Sequence, residues 1–417
     1  MLTSAKEPSA NNGLTKRWLA FTPTFARNMR PNGEAPSLES LERMLHLYNS
    51  LTGRTEPFRP IASPVTMYVC GVTPYDTTHA GHAFTYVVFD VLQRYLRYLG
   101  HPLRYVRNIT DVDDSLLERA RLTHADYRQL GQQQTEQFEE DMRNLNCLTP
   151  DVQPKASQEI PHMIRIVERM LERGAAYVED GWVYFSVAAF PEYGRLGKYD
   201  REHMLHLSAK RGADPNDRRK RDALDFVLWQ PSLDDEPAWE APWGAGRPGW
   251  HLECTAMSLR YLGESIDVHG GGSDLIYPHH ESEIAQSELY TGAKPFARFW
   301  VHTGMVRFQG EKMSKSLGNL VLVRDLLRDH SATAIRLYLL DHCYRDGWDF
   351  EPEKMAKYDK IASQIPNAKC QMPNAAGDAI PELDDDLDTP AAIRQLEAAL
   401  GKGDAHAIAT YQAVLGL

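Results

Sequence analysis

Residues 66–71 read TMYVCG, residues 83–99 read AFTYVVFDVLQRYLRYL and residues 102–110 read PLRYVRNIT. The first stretch is rich in β-formers and stops on Gly71. In the second, Phe84, Val87, Val88, Val91, Leu92, Tyr95 and Leu96 keep a helical i, i+3, i+4, i+7 stripe that Gly100 ends. The third returns as a strand. Strand, helix and strand within about 45 residues make a βαβ unit, which predicts a parallel sheet with its ligand at the carboxyl ends of the strands.

Working outward, residues 115–225 read as mainly helical and interrupt the sheet. Their clearest helix carries Ile160, Met163, Ile164, Val167, Met170 and Leu171 on one face and closes at Gly174. The α/β pattern resumes at Ser265–His269 and Phe299–Val306. Beyond Asn319 the chain reads as helical, with a Pro/Asn/Ala/Gly linker around Pro366–Pro381 ahead of a short acidic tail, 382–417. At the other end, residues 1–60 read as a weakly ordered lead-in broken by Pro31, Gly33 and Pro36. Its first 30 residues hold Lys6, Lys16, Arg17, Arg27 and Arg30 against the single acid Glu7. They lack the apolar block of a secretory signal, which leaves a disordered tail, an over-called start or an organelle transit peptide.

Composition sets coarser limits. A chain of 417 residues, 25% charged and 42% hydrophobic, is too long for one compact core and is expected to form two or three domains. It holds no run of 18 apolar residues. The net charge of −11 gives no help to phosphate contacts, although it does not exclude them. Cys70, Cys147, Cys254, Cys343 and Cys370 are odd in number and scattered, which suits a reducing cytoplasm and a metal or thiol role over a disulfide framework.

Three constellations carry chemistry. His79-Ala80-Gly81-His82 opens the helix of the βαβ unit, where free N–H groups and the helix dipole favour phosphate and Gly81 admits close approach. Two surface histidines capping a helix would look the same. Lys312-Met313-Ser314-Lys315-Ser316 follows the Phe299–Val306 strand between Gly310 and Gly318, and its two lysines can place mobile charge on a triphosphate. Alone it would read as a solvated turn. Lastly, Cys70, Cys254, His279 and Glu283 are suitable ligands for zinc, the last two sharing one face of a helix at i, i+4. A buried cysteine and a helix-capping histidine remain the alternative.

In this order and on a βαβ unit, HxGH and KMSKS resemble the two signatures of class I aminoacyl-tRNA synthetases. MYVCG, NITDVDD (108–114), LDFVLWQPS (224–232), GRPGWHLEC (246–254), DVHGGGSDLIYPHHESEIAQS (267–287) and KMSKSLGN resemble the cysteine-activating branch of that class, over about residues 46–360. The resemblance implies an α/β architecture. A Rossmann-like (HUP) parallel-sheet nucleotide-binding catalytic domain is expected over 46–320, with a helical insertion at about 115–225. A poorly ordered extension, 1–45, would precede it, and a truncated C-terminal helical bundle, 321–417, would follow. It also implies a zinc ion on Cys70, Cys254, His279 and Glu283 that takes the substrate thiolate. Serine and cysteine differ by one atom, and a soft thiolate-seeking metal separates them where shape cannot. By the same resemblance Cys70, Thr73 and Trp250 meet the cysteine, with a core tryptophan as the other reading of Trp250. Gly81, Gly270, Gly271, Gly272, Ser273, Asp274 and Lys315 meet ATP, though 270–274 also reads as a plain Gly-rich turn.

The implied first step is attack of the cysteine carboxylate on the α-phosphorus of ATP, with Mg²⁺ on the phosphates and His79, His82, Lys312 and Lys315 aligning and stabilising charge. The acceptor divides the family: tRNA-charging members use the terminal ribose of tRNA(Cys), and mycothiol-pathway members the amine of glucosaminyl-inositol. The amino sugar is expected here, because 101 residues follow Ser316 and the last 54 carry three bases against eight acids. The wording of Thr73–Asp76 and Asp385–Pro390 agrees. Glu283 points the other way, since mycothiol ligases commonly carry a non-acidic residue there. Ala80 departs from the usual HIGH, and Arg218–Arg221 reads as a solvated loop that RNA contact would also explain. A sensor that binds without catalysis would be expected to lose one of the two signatures. No membrane partner is expected, and a monomer is the default.

Overall fold

The computed structural model describes residues 44–75, 78–314, 317–366 and 376–417. Expectations on 1–43, Asp76, Lys315, Ser316 and most of the linker lie outside the described residues. In chain order, a hairpin of β1 (His46–Asn49) and β2 (Arg54–Pro57) comes first. Then follow β3 (Val65–Val72), α1 (Ala80–Tyr98) and β4 (Leu103–Ile109), the βαβ unit. The hairpin falls in the stretch read as a weakly ordered lead-in, and it is ordered because it packs along the sheet. Ser50 N donates to Trp300 O at 2.9 Å, and Asn49 Oδ1 accepts from Trp300 N at 3.2 Å.

The insertion is not simply helical. It holds α2 (Ile160–Glu172), but also β5 (Ala176–Glu179) and β6 (Trp182–Phe185), which join β7 (Phe226–Gln230) and β8 (Arg247–Pro248) in an antiparallel sheet of order β5-β6-β7-β8. The missed signal is the dipeptide Asp180-Gly181, both residues at positive φ, between two runs of strand-formers. Next come α3 (Trp250–Leu262), β9 (Ile266–Gly272), a tight turn Ile276–His280, α4 (Glu281–Thr291) and β10 (Ala297–Thr303). The expected Phe299–Val306 strand is two. After β10 the chain leaves the main sheet, and β11 (Val306–Phe308) pairs instead with β12 (Glu311–Lys312) and β13 (Trp348–Asp349).

The main sheet has the order β10-β9-β3-β4, with all three pairings parallel. The chain therefore moves to one side of β3 with β4 and to the other with β9. That reversal opens a crevice at the carboxyl ends of β3 and β9, the topological switch point where open parallel sheets bind ligands. Two glycines keep the layers close there. A Cβ on Gly71 would stand 1.6 Å from Asn108 O of β4, and one on Gly270 2.1 Å from the Phe89 ring of α1.

Helix α1 is buried on almost every side, and the C-terminal part of the chain supplies much of its cover. Leu337 and Leu340 of α5 (Ala332–Leu340), Ile393 and Leu396 of α6 (Thr389–Lys402) and Val414 of α7 (Ala405–Leu415) belong to the same apolar cluster as Phe84, Val87 and Leu92. Inside this contact Asp90 accepts from Arg94 at 2.8 Å and from the fully buried Arg336 at 2.7 Å. Arg336 also donates to Leu145 O and Leu415 O. The acidic tail thus supplies core side chains to the helix that opens the site. No described helix is long and apolar enough to cross a membrane.

Candidate functional site

The four residues expected to hold a metal converge. Cys70 lies near the end of β3, Cys254 in the second turn of α3, His279 in the tight turn and Glu283 in the first turn of α4. One ligand atom from each lies within 4.8 Å of the others, and all four side chains are buried. His279 Nε2 is 3.3 Å and Cys70 Sγ 3.5 Å from Glu283 Oε1. Burial pushes the Cys70 thiol well up, reinforced by Cys254 and then Glu283, and burial likewise raises Glu283. His279 is driven down by burial and by His251. Glu283 Oε2 is buried without a hydrogen bond among the described residues. Two thiols, an imidazole and a carboxylate fit a tetrahedral zinc site. A cation there would replace these protons and satisfy donors that otherwise lie in an apolar interior.

A ring of histidines that the sequence reading missed surrounds this cluster. His251 Nδ1 is 3.0 Å from His279 Nδ1. His269 Nε2 is 3.4 Å from Glu283 Oε2, and His280 Nε2 is 3.3 Å from Cys70 Sγ. His280 Nδ1 lies 2.8 Å from His302 Nε2. Burial lowers His251, His269 and His302 to about 3 each, so these rings are neutral. A second set of donors, Cys70, His269, His280 and Glu283, also fits within 4.8 Å. The first set brings two thiolates and is the better match to a soft borderline metal. Trp250 stacks on His279 at 4.2 Å between ring centroids, so it covers the cluster and is only partly buried.

His79-Ala80-Gly81-His82 lies where the sequence puts it, at the opening of α1. His79 is the N-cap of α1, its Nδ1 accepting from Gly81 N at 3.0 Å, and its ring stacks on His82 at 3.9 Å. Burial, then His82 and Lys312, push His79 down to about 2, leaving a neutral ring at a helix N-terminus. Lys312 Nζ is 3.2 Å from Asp274 Oδ2. Arg211, unforeseen in the sequence, donates to the same oxygen at 2.7 Å and to Asp274 O at 2.9 Å. Burial alone would raise Asp274, but Lys312 and Arg211 outweigh it and hold the carboxylate ionised. The guanidinium of Arg211 also stands 5.8 Å over the Trp250 ring. Asp274 and Arg211 therefore connect the lysine loop to the cysteine-histidine cluster. Thr73 follows β3 at the mouth, half-buried, while Gly271 and Gly272 end β9 beside Ser273. Lys315 lies outside the described residues.

The family described as tRNA synthetases class I (C) catalytic domain matches residues 58–360. A cysteine–tRNA ligase of Aquifex aeolicus is 46% identical over 325 residues, covering 78% of this chain and 65% of that protein. The chain thus spans just under two thirds of that enzyme. An L-cysteine:1D-myo-inositol 2-amino-2-deoxy-alpha-D-glucopyranoside ligase of Thermomonospora curvata is 43% identical over 399 residues, covering 92% of this chain and 96% of that protein. Among solved structures, methionyl-tRNA synthetase of Mycobacterium tuberculosis superposes with a TM-score of 0.57 at 16% identity, over 85% of this chain and 81% of that one. At that identity the superposition speaks for the fold alone.

Proposed function

The chain belongs to the class I (C) tRNA synthetase family, and from that premise we propose that it is an ATP-dependent cysteine ligase whose acceptor is the amine of glucosaminyl-inositol. The observation that carries the acceptor is how much of this chain aligns: 92% with the mycothiol-type ligase against 78% with the cysteine–tRNA ligase of Aquifex aeolicus. Transfer to tRNA(Cys) is the second reading, favoured by the 46% identity to a cysteine–tRNA ligase over 325 residues and by the acidic Glu283.

In the first step a carboxylate oxygen of cysteine bonds to the α-phosphorus of ATP and the bond to the β-phosphate oxygen breaks, releasing pyrophosphate. The nucleophile is already ionised, so no general base is sought. The neutral ring of His79, and the ring of His82 stacked on it, donate N–H groups to the phosphates at the α1 N-terminus, and Lys312 exchanges its Asp274 partner for the triphosphate. Lys315 is assigned to the same charge and Mg²⁺ accompanies the nucleotide. Gly271, Gly272, Ser273 and Asp274 form the nucleotide wall, and Thr73 and Trp250 line the amino-acid side. In the second step the acceptor nitrogen bonds to the carbonyl carbon, AMP leaves, and the nitrogen loses its extra proton to solvent.

Cys70, Cys254, His279 and Glu283 would hold zinc, which supplies a Lewis acid that binds the substrate sulfur as thiolate and so rejects serine. The chain's own part is to keep those donors buried and to cap them with Trp250. The deciding experiment forms the adenylate on the purified protein and offers glucosaminyl-inositol and tRNA(Cys) in parallel. Consumption with the amino sugar alone supports the first reading, and consumption with tRNA alone overturns it. Absence of cysteine-dependent, serine-indifferent ATP–pyrophosphate exchange in zinc-replete protein would remove both.

A further inference from the structure

Behind the cysteine-histidine cluster, a line of polar groups runs to the turn of the β1–β2 hairpin. His280 Nε2 is 3.3 Å from Cys70 Sγ, His280 Nδ1 is 2.8 Å from His302 Nε2, and His302 Nδ1 is 2.7 Å from Ser50 Oγ. His280 is fully buried, His302 nearly so, and Ser50 half-buried. A neutral imidazole has one N–H and one acceptor nitrogen, so the roles along such a line are tied together. If Cys70 is a metal-bound thiolate it only accepts. His280 then carries its proton on Nε2, its Nδ1 accepts from His302 Nε2–H, and His302 Nδ1 accepts from the Ser50 hydroxyl. The serine is the one member that can rotate to suit the rest.

We propose that His302 and Ser50 are positioning residues of the metal site, which act through His280 to hold an N–H on the Cys70 sulfur, so that His280 serves as a donor and not as a ligand. The proposal rests on the zinc reading above. The hairpin is fastened as this role requires. Ser50 N donates to Trp300 O at 2.9 Å, Asn49 Nδ2 to Arg298 O at 3.0 Å, and Trp300 N to Asn49 Oδ1 at 3.2 Å. These bonds lay the end of β1 along β10, the strand that carries His302. Trp300 packs against His280 at 5.3 Å between centroids and limits the ring's other orientations. The energetic reason is charge: two thiolates and a carboxylate exceed the charge of a dication, and in a dry interior an N–H on one sulfur disperses the surplus.

The test measures zinc affinity of the full chain by competition with a chromophoric chelator, together with the thiolate-to-cobalt charge-transfer band of the Co²⁺ form. Outer-shell partners of metal ligands typically contribute 10–100-fold in affinity. Ser50→Ala is expected to weaken zinc by about tenfold and shift the cobalt band, His302→Phe by about 10–100-fold, and Ser50→Thr to restore both readouts. Thermal unfolding of the zinc-free variants controls for damage to the fold, and should His302→Phe not fold, the serine pair decides. Wild-type affinity in Ser50→Ala, or loss in Ser50→Thr equal to that in Ser50→Ala, overturns the proposal. Should the wild type bind no zinc that depends on Cys254, the zinc reading itself fails, and this inference with it.

Discussion

Gly270, which the sequence resemblance assigns to ATP, tests whether a glycine here serves the ligand or the core. It sits in β9 between Val69 of β3 and Val301 of β10, and its missing side chain faces Phe89 of α1. An alanine would put Cβ 2.1 Å from Phe89 Cζ and 2.3 Å from Cε1. Carbon atoms rest about 3.5–4.0 Å apart, so the ring or the strand must retreat by about 1.5 Å. Phe89 is fully buried within the α1 cluster and has no such room. Gly270→Ala is therefore expected near the upper end of overpacking costs, about 2–3 kcal/mol. Phe89→Leu alone should cost less than the ~3–5 kcal/mol of a Phe→Ala truncation. In the double variant the smaller side chain makes space for the methyl, and the two costs should fall short of additivity by about 1–2 kcal/mol. Urea denaturation of the four proteins measures this, and cysteine-dependent ATP–pyrophosphate exchange is read on the same samples. Additivity within about 0.5 kcal/mol would show that the clash is not what the glycine avoids. If stability couples as expected but exchange stays lost in the double variant, Gly270 also meets the nucleotide.

Cys254→Ser is expected to lose bound zinc and cysteine-dependent exchange together, read by metal analysis and exchange assay; exchange that survives without metal would refute the assignment. Removing Lys312 as Lys312→Ala should lower kcat/KM for adenylate formation by about 10²–10³, the range for one preorganised charge donor, with little change in thermal stability, because its pair with Asp274 is half-exposed. Asp90 stays below the ordinary carboxylate range although burial opposes this, because Arg336 and Arg94 favour its charge. A carboxylate lowered on folding gives stability that is complete above its unfolded value of about 3.9 and drains as pH falls through the lower folded value. The wild type should thus lose more stability in acid than Asp90→Asn, itself destabilised at neutral pH by roughly 3–5 kcal/mol for breaking a buried pair. Equal slopes of urea midpoint against pH in the two proteins would refute this.

What the sequence discloses and what it hides divide along physical lines. The βαβ unit is legible because a helix stripe and a strand are local patterns, and a parallel pairing of β3 with β4 follows from their handed connection. The strand order then places the ends of β3 and β9 side by side, so that TMYVCG and DVHGGG, almost 200 residues apart, share one crevice. That step needs only topology. The expected zinc ligands are legible for a different reason: Cys70, Cys254, His279 and Glu283 are residue types that suit zinc, and the resemblance to the cysteine-activating branch singles them out where residue type alone leaves a buried cysteine and a helix-capping histidine open. Arg211, His302 and Ser50 have neither advantage. A serine ahead of a hairpin turn and an arginine after a helix are common residues in common places. Ser50 meets His302 across 252 positions and Arg211 meets Asp274 across 63, through turns whose course no local pattern states. The antiparallel sheet was hidden in part by the strong helices around it, although Asp180-Gly181 announced its first turn. The buried Asp90–Arg336 pair shows the converse limit. Asp90 interrupts the apolar run 87–92, yet only the packing of α5 on α1 supplies the Arg336 guanidinium that makes its burial tolerable. Residues that act through others are thus the ones left to be found by distance, and Ser50, far from the reacting atoms, is the sharpest case.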